Sequence, residues 1–548
     1  MKLIDLLENL KYRIVSDIFK EKSSYPDISE AQKSSVEDLT VEKSTVEDSS
    51  VEDSSVENSA TEYLDIENLD IHNLVYDSRK VQHGDVFVCI SGAKMDAHNF
   101  IGDVVNKGAV AVVIEKELTK EKIEALEIET EGRIKDVVII KVESTRYALG
   151  CMSAAYFGYP AKKLVTIGVT GTKGKTTTAY MIRSVLENTG IKTGLIGTIE
   201  AIIGEEHIKA ANTTPESYVV QEYFSRMVEA GCKAVVMEVS SQGLMLHRVA
   251  GFEFDYGIFT NLSKDHIGEN EHKDFEDYKS CKAKLFKMCK HGIFNIDDKH
   301  AEDMMRDATC TIETFAVKNQ ADLMAKNIKL LQKPGVIGIS YDLEGKINMP
   351  VEIDIPGAFN VYNTMTAIAV CHYFTKDLKL IENVLKDIRV KGRVEIIKVS
   401  PEFTLMIDYA HNAMSLESLL ESLKEYNPKR IVTLFGCGGN RSKDRRFEMG
   451  EVSARLSDLT IITSDNPRFE KPMDIIADIV TGVEKAGGEY ITIPDRKEAI
   501  RYAIENGQEG DIIVLAGKGH EDYQEIEGVK YPMDERNLIQ EILADNQN

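Results

Sequence analysis

The chain has 548 residues, of which 66 are lysine or arginine and 90 are aspartate or glutamate, so its formal net charge is −24. This acidic balance excludes a general affinity for nucleic acid and indicates a soluble, self-repelling surface. The eight cysteines lack the paired spacing of a zinc site, no signal peptide is evident, and no segment approaches the roughly 18 apolar residues of a membrane span. We therefore expect a cytoplasmic protein, not a membrane protein, with about three domains.

The first 62 residues combine one predicted helix with a segment of unusual composition. Residues 3–19 are amphipathic and predict a short helix. In residues 21–62, valine recurs every five residues among serines and acids, a period that fits neither helix nor strand. This pattern predicts a disordered acidic insertion, and a docking or phosphorylation segment is the alternative.

From residue 84 onward, apolar strands alternate with helical patterns, which predicts an α/β protein with parallel sheets. In a first domain at residues 1–162, we expect strands at residues 86–90, 108–114 and 136–140.

A glycine-rich stretch, TIGVTGTKGKTTT at residues 166–178, opens the predicted central domain at residues 163–390. A β-branched strand leads into it and a helical pattern follows. Glycines let backbone N–H groups approach phosphate oxygens, Lys175 can reach the terminal phosphates, and the Thr176 hydroxyl can bind Mg²⁺. Val169 stands where the strict phosphate-loop pattern has glycine. A tight turn with an incidental lysine is the alternative.

Further polar residues of this domain follow predicted strands. Asn212–Glu216 is expected to open and cap a helix. Glu238 ends the strand at residues 234–237, where a Mg²⁺-binding carboxylate is expected beside a phosphate loop. A solvated loop glutamate is the alternative for Glu238, and a satisfied polar histidine is the alternative for His266. A helix is also predicted at residues 364–373.

The last domain, residues 391–548, is predicted to contain four strands that each end in a polar loop. The strands are at residues 404–408, 430–435, 459–463 and 511–515. Because ligands of open α/β sheets bind outside the carboxyl ends of the strands, the four loops predict a binding site.

Several motifs in this order resemble the Mur ligase family of ATP-dependent amide-forming enzymes. They are DSR at 77–79, TGTKGKTTT at 170–178, NTTPE at 212–216, MEVSSQGLMLHRV at 237–249, and then TNLSKDH, AKLF, FNVYN, GRVE, DYAH, GCGGNR, DNPR and GKGHEDYQ. The resemblance implies a central phosphate-loop ATPase domain between an N-terminal α/β nucleotide-sugar domain and a C-terminal Rossmann-like domain.

The resemblance also implies roles for individual residues. ATP would be bound by Thr170, Gly171, Thr172, Lys173, Gly174, Lys175, Thr176, Asn360, Arg393 and Asp408. The catalytic residues would be Lys175, Glu238, His266 and Lys282. Mg²⁺ would be held by Thr176, Glu238, His266 and Lys282, with Lys282 carbamylated to N6-carboxylysine; a surface lysine is the alternative for Lys282.

Two further groups of residues match substrate positions of the family. The UDP-linked substrate would contact Ser78, Asn212, Thr213, Thr214, Ser240 and Arg248. The incoming amino acid would contact Arg441, Asp465, Asn466, Pro467, Arg468, Gly517 and Glu521. The chain departs from the family pattern at Gln242, Leu246, Asn412, Ala413 and Asn440 and in the stretch SKDRRFEMG, and none of these changes removes a group needed for phosphoryl transfer.

The implied reaction joins meso-diaminopimelate to UDP-N-acetylmuramoyl-L-alanyl-D-glutamate through an acyl phosphate, at the expense of ATP, in peptidoglycan precursor synthesis. The DNPR loop favours diaminopimelate over L-lysine, because Arg468 can pair with the distal carboxylate that lysine lacks. The alternatives are L-lysine as substrate, another ligase of this type such as folylpolyglutamate synthetase, or a non-catalytic nucleotide-binding scaffold. We expect a monomer.

Overall fold

The computed structural model describes residues 1–16, 66–92, 95–265, 267–268, 271–333 and 336–545. The predicted acidic insertion at residues 21–62 and His266 lie outside the described residues. The chain divides into two compact units, Met1–Tyr156 and Phe157–Asn548. None of the helices in the described ranges combines the length and apolar character needed to cross a bilayer.

The first unit is a five-stranded sheet with helices around it. The strand order is β1-β5-β4-β3-β2, and only β1 runs antiparallel to its neighbour. The strands are β1 (Tyr12–Ile14), β2 (Leu74–Val75), β3 (Val86–Val88), β4 (Ala111–Ile114) and β5 (Val138–Val142). The helices are α1 (Leu3–Leu7), α2 (Ile101–Asn106), α3 (Lys120–Glu129) and α4 (Thr145–Tyr156).

The prediction of one helix at residues 3–19 was wrong. Helix α1 ends at Leu7, and β1 follows it as an edge strand paired with β5. Ladder hydrogen bonds to β5 favour the extended backbone over a continued helix.

The second unit begins with an eleven-stranded sheet, in the order β16-β15-β14-β13-β12-β11-β6-β10-β7-β8-β9. Its central strands, from β14 to β7 in that order, are parallel. The antiparallel strands at both edges were not predicted. The strands are β6 (Val165–Thr170), β7 (Thr193–Ile196), β8 (Glu200–Ile203), β9 (Glu206–Lys209), β10 (Ala234–Glu238), β11 (Phe254–Phe259), β12 (Cys289–Asn295), β13 (Thr311–Ala316), β14 (Leu323–Lys333), β15 (Val336–Gly345) and β16 (Met349–Ile353).

Helices cover this sheet and carry apolar residues into its core. They are α5 (Lys175–Asn188), α6 (Ser217–Glu229), α7 (Ser241–Met245), α8 (Phe275–Ala283), α9 (Ala301–Met305), α10 (Phe359–Cys371) and α11 (Leu378–Lys386). Helix α10 begins five residues before the predicted start, which places the FNVYN motif in its first turns.

The second unit continues with a six-stranded sheet, in the order β17-β18-β22-β19-β20-β21, in which only β17 is antiparallel. A separate hairpin pairs β23 with β24. The strands are β17 (Glu395–Ile397), β18 (Thr404–Asp408), β19 (Arg430–Phe435), β20 (Leu459–Ile462), β21 (Tyr490–Thr492), β22 (Asp511–Ala516), β23 (Tyr523–Ile526) and β24 (Val529–Pro532). The helices are α12 (Ala413–Lys424), α13 (Asp444–Leu456), α14 (Pro472–Ala486), α15 (Arg496–Glu505) and α16 (Glu535–Asp545).

The eleven-stranded and six-stranded sheets of this unit share one apolar core, which runs from Ile167 on β6 to Leu416 and Leu420 on α12. Tyr426, two residues after α12, donates a hydrogen bond to the Gly338 carbonyl, 2.8 Å away, and so joins this segment to β15 of the eleven-stranded sheet. Because the two sheets are packed as one body, polar loops from both can meet in one cavity.

Candidate functional site

The phosphate loop lies between β6 and α5, as the sequence predicted. Gly171 and Gly174 have φ values of +146° and +87°, which favour glycine. A Cβ on Gly171 would stand 2.0 Å from Thr260 Oγ1, so this glycine is also required by close packing. Asn261 fixes the loop, because its side-chain oxygen accepts a hydrogen bond from the Lys173 backbone N–H over 2.9 Å. The loop is therefore held in one conformation by the end of β11.

Lys175 opens helix α5 and its ammonium lies directly over this loop. Its Nζ donates hydrogen bonds to the carbonyls of Gly171 and Thr172, over 2.9 and 3.0 Å. Burial lowers the pKa of Lys175, and the nearby carboxylates of Glu238 and Asp265 oppose that shift. A cation at a helix N-terminus above a turn of backbone N–H groups can neutralise phosphate charge.

Thr176 and Glu238 form a buried pair of oxygen ligands beside the loop. Thr176 Oγ1 donates to Glu238 Oε2 over 2.9 Å, and Thr198 donates to both carboxylate oxygens, from its backbone N–H over 2.8 Å and from its hydroxyl over 3.0 Å. Only 1% of Glu238 is exposed. A hydroxyl and a carboxylate that converge beside a phosphate site fit the hard oxygen ligands that Mg²⁺ prefers.

Lys282 projects from α8 to the same loop, although a surface position is the alternative prediction for this lysine. Its Nζ donates to the Gly171 carbonyl over 2.8 Å and lies 4.7 Å from the centre of the Tyr278 ring. Only 1% of Lys282 is exposed. Burial, with a smaller contribution from Lys175, holds the pKa of Lys282 well below its ordinary value. The surface interpretation of this lysine is therefore wrong.

The NTTPE stretch does not cap a helix, contrary to the prediction. Helix α6 starts at Ser217, and its N-cap residue, Glu216, makes no side-chain cap bond. The Thr214 hydroxyl instead donates to the Glu238 carbonyl over 2.9 Å and accepts from the Ser240 backbone N–H over 3.0 Å. Tertiary hydrogen bonds to the end of β10 thus replace the local cap.

Arg248 joins this stretch to the segment after β10. Its guanidinium donates to Glu216 Oε1 and to the Thr214 carbonyl, each over 3.0 Å. Asn212 is exposed and Thr213 is half-buried, with the Thr213 hydroxyl 3.1 Å from the Thr198 hydroxyl. Polar groups of this stretch therefore stand next to the oxygen pair of Thr176 and Glu238.

The remaining predicted ATP contacts come from α10 and from the start of the six-stranded region. Asn360 is buried, and its Oδ1 accepts from Asn363 Nδ2 over 2.9 Å. The Arg393 guanidinium lies 4.8 Å from the Tyr409 ring centre. Asp408 accepts backbone hydrogen bonds from residues 394 and 410, and burial raises its pKa.

One cavity of about 760 Å³ brings these groups together. Its lining includes the phosphate loop, residues of the NTTPE stretch and residues from the six-stranded region. The predicted site residues that line it are Thr172, Lys173, Gly174, Lys175, Thr176, Asn212, Thr213, Thr214, Glu238, Ser240, Arg248, Lys282, Asn360, Arg393 and Asp408. Thr170 and Gly171 are not among the lining residues; they precede Thr172 in the sequence, at the end of β6.

The residues predicted for the amino acid form a second cluster, at the carboxyl ends of β20 and β22. Asn466 Nδ2 donates to Glu521 Oε2 over 2.9 Å, and Arg468 donates to Glu525 over 3.2 Å and to the Gly439 carbonyl over 2.8 Å. Pro467 and Gly517 are buried and Arg441 is exposed. Tyr409 links the cavity to the second cluster. It lines the cavity, and its ring centre lies 4.7 Å from that of His520, which is in the same loop as Gly517 and Glu521.

Ser78 belongs to the first unit, where its carbonyl accepts from Lys107 Nζ over 2.8 Å. In the same motif, Arg79 pairs with Asp77 and lowers the pKa of that carboxyl to about 2.

Sequence reasoning missed three residues that shape these sites. Thr198 anchors Glu238, Tyr278 donates or accepts a 3.0 Å hydrogen bond with Thr172 Oγ1, and Lys518 is buried within the second cluster. The sequence signals for Lys518 were its place between two glycines after a buried strand and its membership of the GKGHEDYQ motif.

Three family models cover most of the chain. They are the Mur ligase family catalytic domain at residues 70–157, the Mur ligase middle domain at residues 169–371, and the Mur ligase glutamate ligase domain at residues 392–519.

A curated relative and two solved structures show the same similarity. UDP-N-acetylmuramoyl-L-alanyl-D-glutamate–2,6-diaminopimelate ligase from Clostridium perfringens is 41% identical over 479 residues, covering 85% of this chain and 94% of the relative. A solved structure of a ligase of that name has 28% identity and a TM-score of 0.63, covering 87% of this chain and 96% of its own. The MurF ligase from Thermotoga maritima, solved in complex with ADP, shares the fold with a TM-score of 0.53 at 18% identity, covering 87% and 99%. With 41% identity across nearly the full length of a curated member, and with three family models matched in order along its length, this chain belongs to the Mur ligase family.

Proposed function

We propose that this protein is an ATP-dependent ligase that joins meso-diaminopimelate to UDP-N-acetylmuramoyl-L-alanyl-D-glutamate in peptidoglycan precursor synthesis. The observation that carries the proposal is the single cavity in which Lys175, the Thr176–Glu238 pair, Lys282 and the NTTPE stretch all meet. The curated relative named for this reaction supports the choice of substrates.

In the proposed reaction, a carboxylate oxygen of the substrate's D-glutamate attacks the γ-phosphorus of ATP, and the bond to ADP breaks. The product is an acyl phosphate. The amine of diaminopimelate then attacks the acyl carbon, inorganic phosphate leaves, and the amine loses a proton. The chemistry needs positioning and charge neutralisation more than a strong base.

The residues of the cavity suit these steps. Lys175 would neutralise charge on the β- and γ-phosphates, and Arg248 with Thr214 would orient the UDP-linked substrate. Thr176 and Glu238 would hold Mg²⁺, with carbamylated Lys282 and His266 at a second position. The bound Mg²⁺ would offset negative charge on the transferring phosphoryl group.

The second cluster supports diaminopimelate as the incoming amino acid. Arg468 is fixed by Glu525 and by the Gly439 carbonyl, so its guanidinium is presented in a defined orientation for the distal carboxylate. Glu521 and the Gly517 carbonyl would receive the distal ammonium. L-lysine lacks the distal carboxylate and would leave Arg468 with its protein partners alone. We further propose that the enzyme acts in the cytoplasm as a monomer, because the chain is strongly acidic and its cysteines are scattered.

A ligation assay tests this function. Purified protein is incubated with ATP, Mg²⁺, the UDP-muramoyl-dipeptide and either meso-diaminopimelate or L-lysine, and ADP and the ligated product are measured. We expect ADP release only with both substrates present, and kcat/KM for diaminopimelate more than about tenfold that for lysine, the factor that 1.4 kcal/mol represents.

Two variants control this assay. Lys175→Ala should abolish product, whereas Lys485→Ala, an exposed lysine at the end of α14, should retain it. Equal or better efficiency with lysine would refute the diaminopimelate assignment. ADP release at the same rate without the UDP-muramoyl-dipeptide would refute the proposed ligase activity.

A further inference from the structure

Lys518 is a charged side chain with no exposed surface in the second cluster. It follows β22 directly, between Gly517 and Gly519, and neither neighbour has a side chain that could cover it. Buried charges in proteins are stable only when they are paired and hydrogen-bonded. The contacts of Lys518 therefore show what the lysine holds in place.

The Lys518 ammonium joins the loop after β20 to the segment between β22 and β23, to which Lys518 itself belongs. Its Nζ donates to Asn466 Oδ1 and to Glu521 Oε2, each over 3.0 Å, and to the Tyr523 carbonyl. It also lies 3.8 Å from Asp465 Oδ1. One ammonium thus connects the loop after β20, the loop after β22 and the first residue of β23.

The same contacts reach Arg468 indirectly. Asn466 Oδ1 accepts a second hydrogen bond, from the Glu525 backbone N–H over 2.9 Å, and the Glu525 side chain holds Arg468. Displacing Lys518 would remove one hydrogen bond from Asn466 and one from the Tyr523 carbonyl at the start of β23. The orientation of the Arg468 guanidinium consequently depends on a lysine that Arg468 itself does not contact.

Lys518 also sets the charge of the cluster. Glu525 and Arg468 offset each other's charge, and Lys518 offsets one of the two negative charges of Asp465 and Glu521. A single negative charge is then left for one ammonium. A neutral residue at position 518 would leave both charges. That excess repels a distal carboxylate and still attracts a distal ammonium.

We propose that Lys518 is a positioning residue that sets the preference for a doubly charged distal group, ammonium plus carboxylate, over a lone ammonium. The inference rests on the proposed function, since it concerns the amino acid which that reaction consumes. Lys518 acts by orienting Asn466, Glu521 and Arg468 and by limiting the negative charge around them.

The test compares Lys518→Met with Lys530→Met in the full-length protein. Both lysines lie near the Tyr523 ring: the Nζ atom is 5.1 Å from the ring centre for Lys518 and 4.2 Å for Lys530. Lys530 is exposed, whereas Lys518 is buried, so Lys530 serves as the control. For each variant, kcat and KM are measured for meso-diaminopimelate, L-lysine, ATP and the UDP-muramoyl-dipeptide. Thermal melting records whether each variant is folded.

We expect K518M to raise KM for diaminopimelate at least tenfold, with KM for ATP and the dipeptide within twofold of the wild type. The ratio of kcat/KM for diaminopimelate over lysine should fall at least tenfold, and K530M should change neither quantity. Lys518→Arg, which keeps the charge, should retain more of that ratio than K518M.

Other outcomes would overturn the inference. An unchanged ratio, a uniform rise of all KM values, or a loss confined to kcat would each show that Lys518 does not set specificity. If K518M fails to fold, Lys518→Gln takes its place, and failure of both neutral variants to fold would assign Lys518 to stability alone. A wild-type protein that ligates neither amino acid would refute the proposed function instead.

Discussion

At the scale of the residue, Lys282 shows how burial changes the chemistry available to a side chain. A lysine with its ordinary pKa of about 10.4 is protonated at neutral pH and does not react with CO₂. Burial and the charge of Lys175 lower the pKa of Lys282 well below that value, so more of the neutral amine is present at any given pH. The neutral amine is the form that adds CO₂ to give a carbamate.

We predict that Lys282 is carbamylated in the native protein. With carbon-13-labelled bicarbonate, the wild type should give a carbamate NMR signal that Lys282→Ala lacks and that Lys284→Ala, an exposed lysine two residues away, retains. K282A should lose about 10²-fold in kcat, in the range typical for removal of one group that stabilises transition-state charge. An identical signal in K282A and the wild type would contradict the assignment.

At the scale of the element, the candidate sites are built where parallel strands end and where a glycine allows another segment to approach. Gly392, two residues after Val390 and before β17, has φ of +65°. A Cβ there would stand 2.2 Å from the Gly519 carbonyl carbon and from the His520 backbone nitrogen. The loop after β22 therefore packs directly against Gly392, and any side chain at 392 must displace it.

We predict that Gly392→Ala destabilises the second unit more than Gly487→Ala does. Gly487 ends α14 with φ of +73° and has open space around its Cβ position, so alanine there adds only backbone strain of about 1–2 kcal/mol. At Gly392 the steric overlap should add about 1–3 kcal/mol. Urea unfolding of both variants measures the difference in their free energies of unfolding. Equal losses of stability would show that the loop after β22 moves away from position 392 without a measurable loss of stability.

At the scale of the whole molecule, the two large sheets of the second unit are joined by their shared core, and a charged contact at the surface also links them. Lys209 on β9, at the edge of the eleven-stranded sheet, pairs with Asp522 in the loop before β23, and its Nζ lies 4.7 Å from the Tyr523 ring centre. Both charged side chains are about half exposed, so solvent screens their attraction. The contact is therefore suited to fixing geometry more than to supplying stability.

We predict a small and salt-sensitive coupling between Lys209 and Asp522. A double-mutant cycle of Lys209→Ala and Asp522→Ala should give about 0.2–1 kcal/mol in dilute buffer and nearly nothing at about 1 M salt, where the screening length is about 3 Å. The matched cycle of Lys530→Ala with Asp522→Ala should show no coupling. A coupling above this range, or one that survives high salt, would identify a contact much stronger than its exposure implies.

The sequence by itself determined the α/β class, the phosphate loop, and the strand ends at Glu238 and Asp408 that carry polar residues. Those features are local, because β-branched runs, glycine turns and alternation of strands with helices are readable over a few residues. The sequence misjudged residues 3–19 and the NTTPE stretch, where ladder pairing and hydrogen bonds to β10 override local preference. Only the tertiary structure decided that Thr176 donates directly to Glu238, that Lys282 is buried against Gly171, and that Lys518 ties the loop after β20 to the loop after β22. These contacts join residues far apart in the chain, so their existence depends on strand order and packing, which no local pattern encodes.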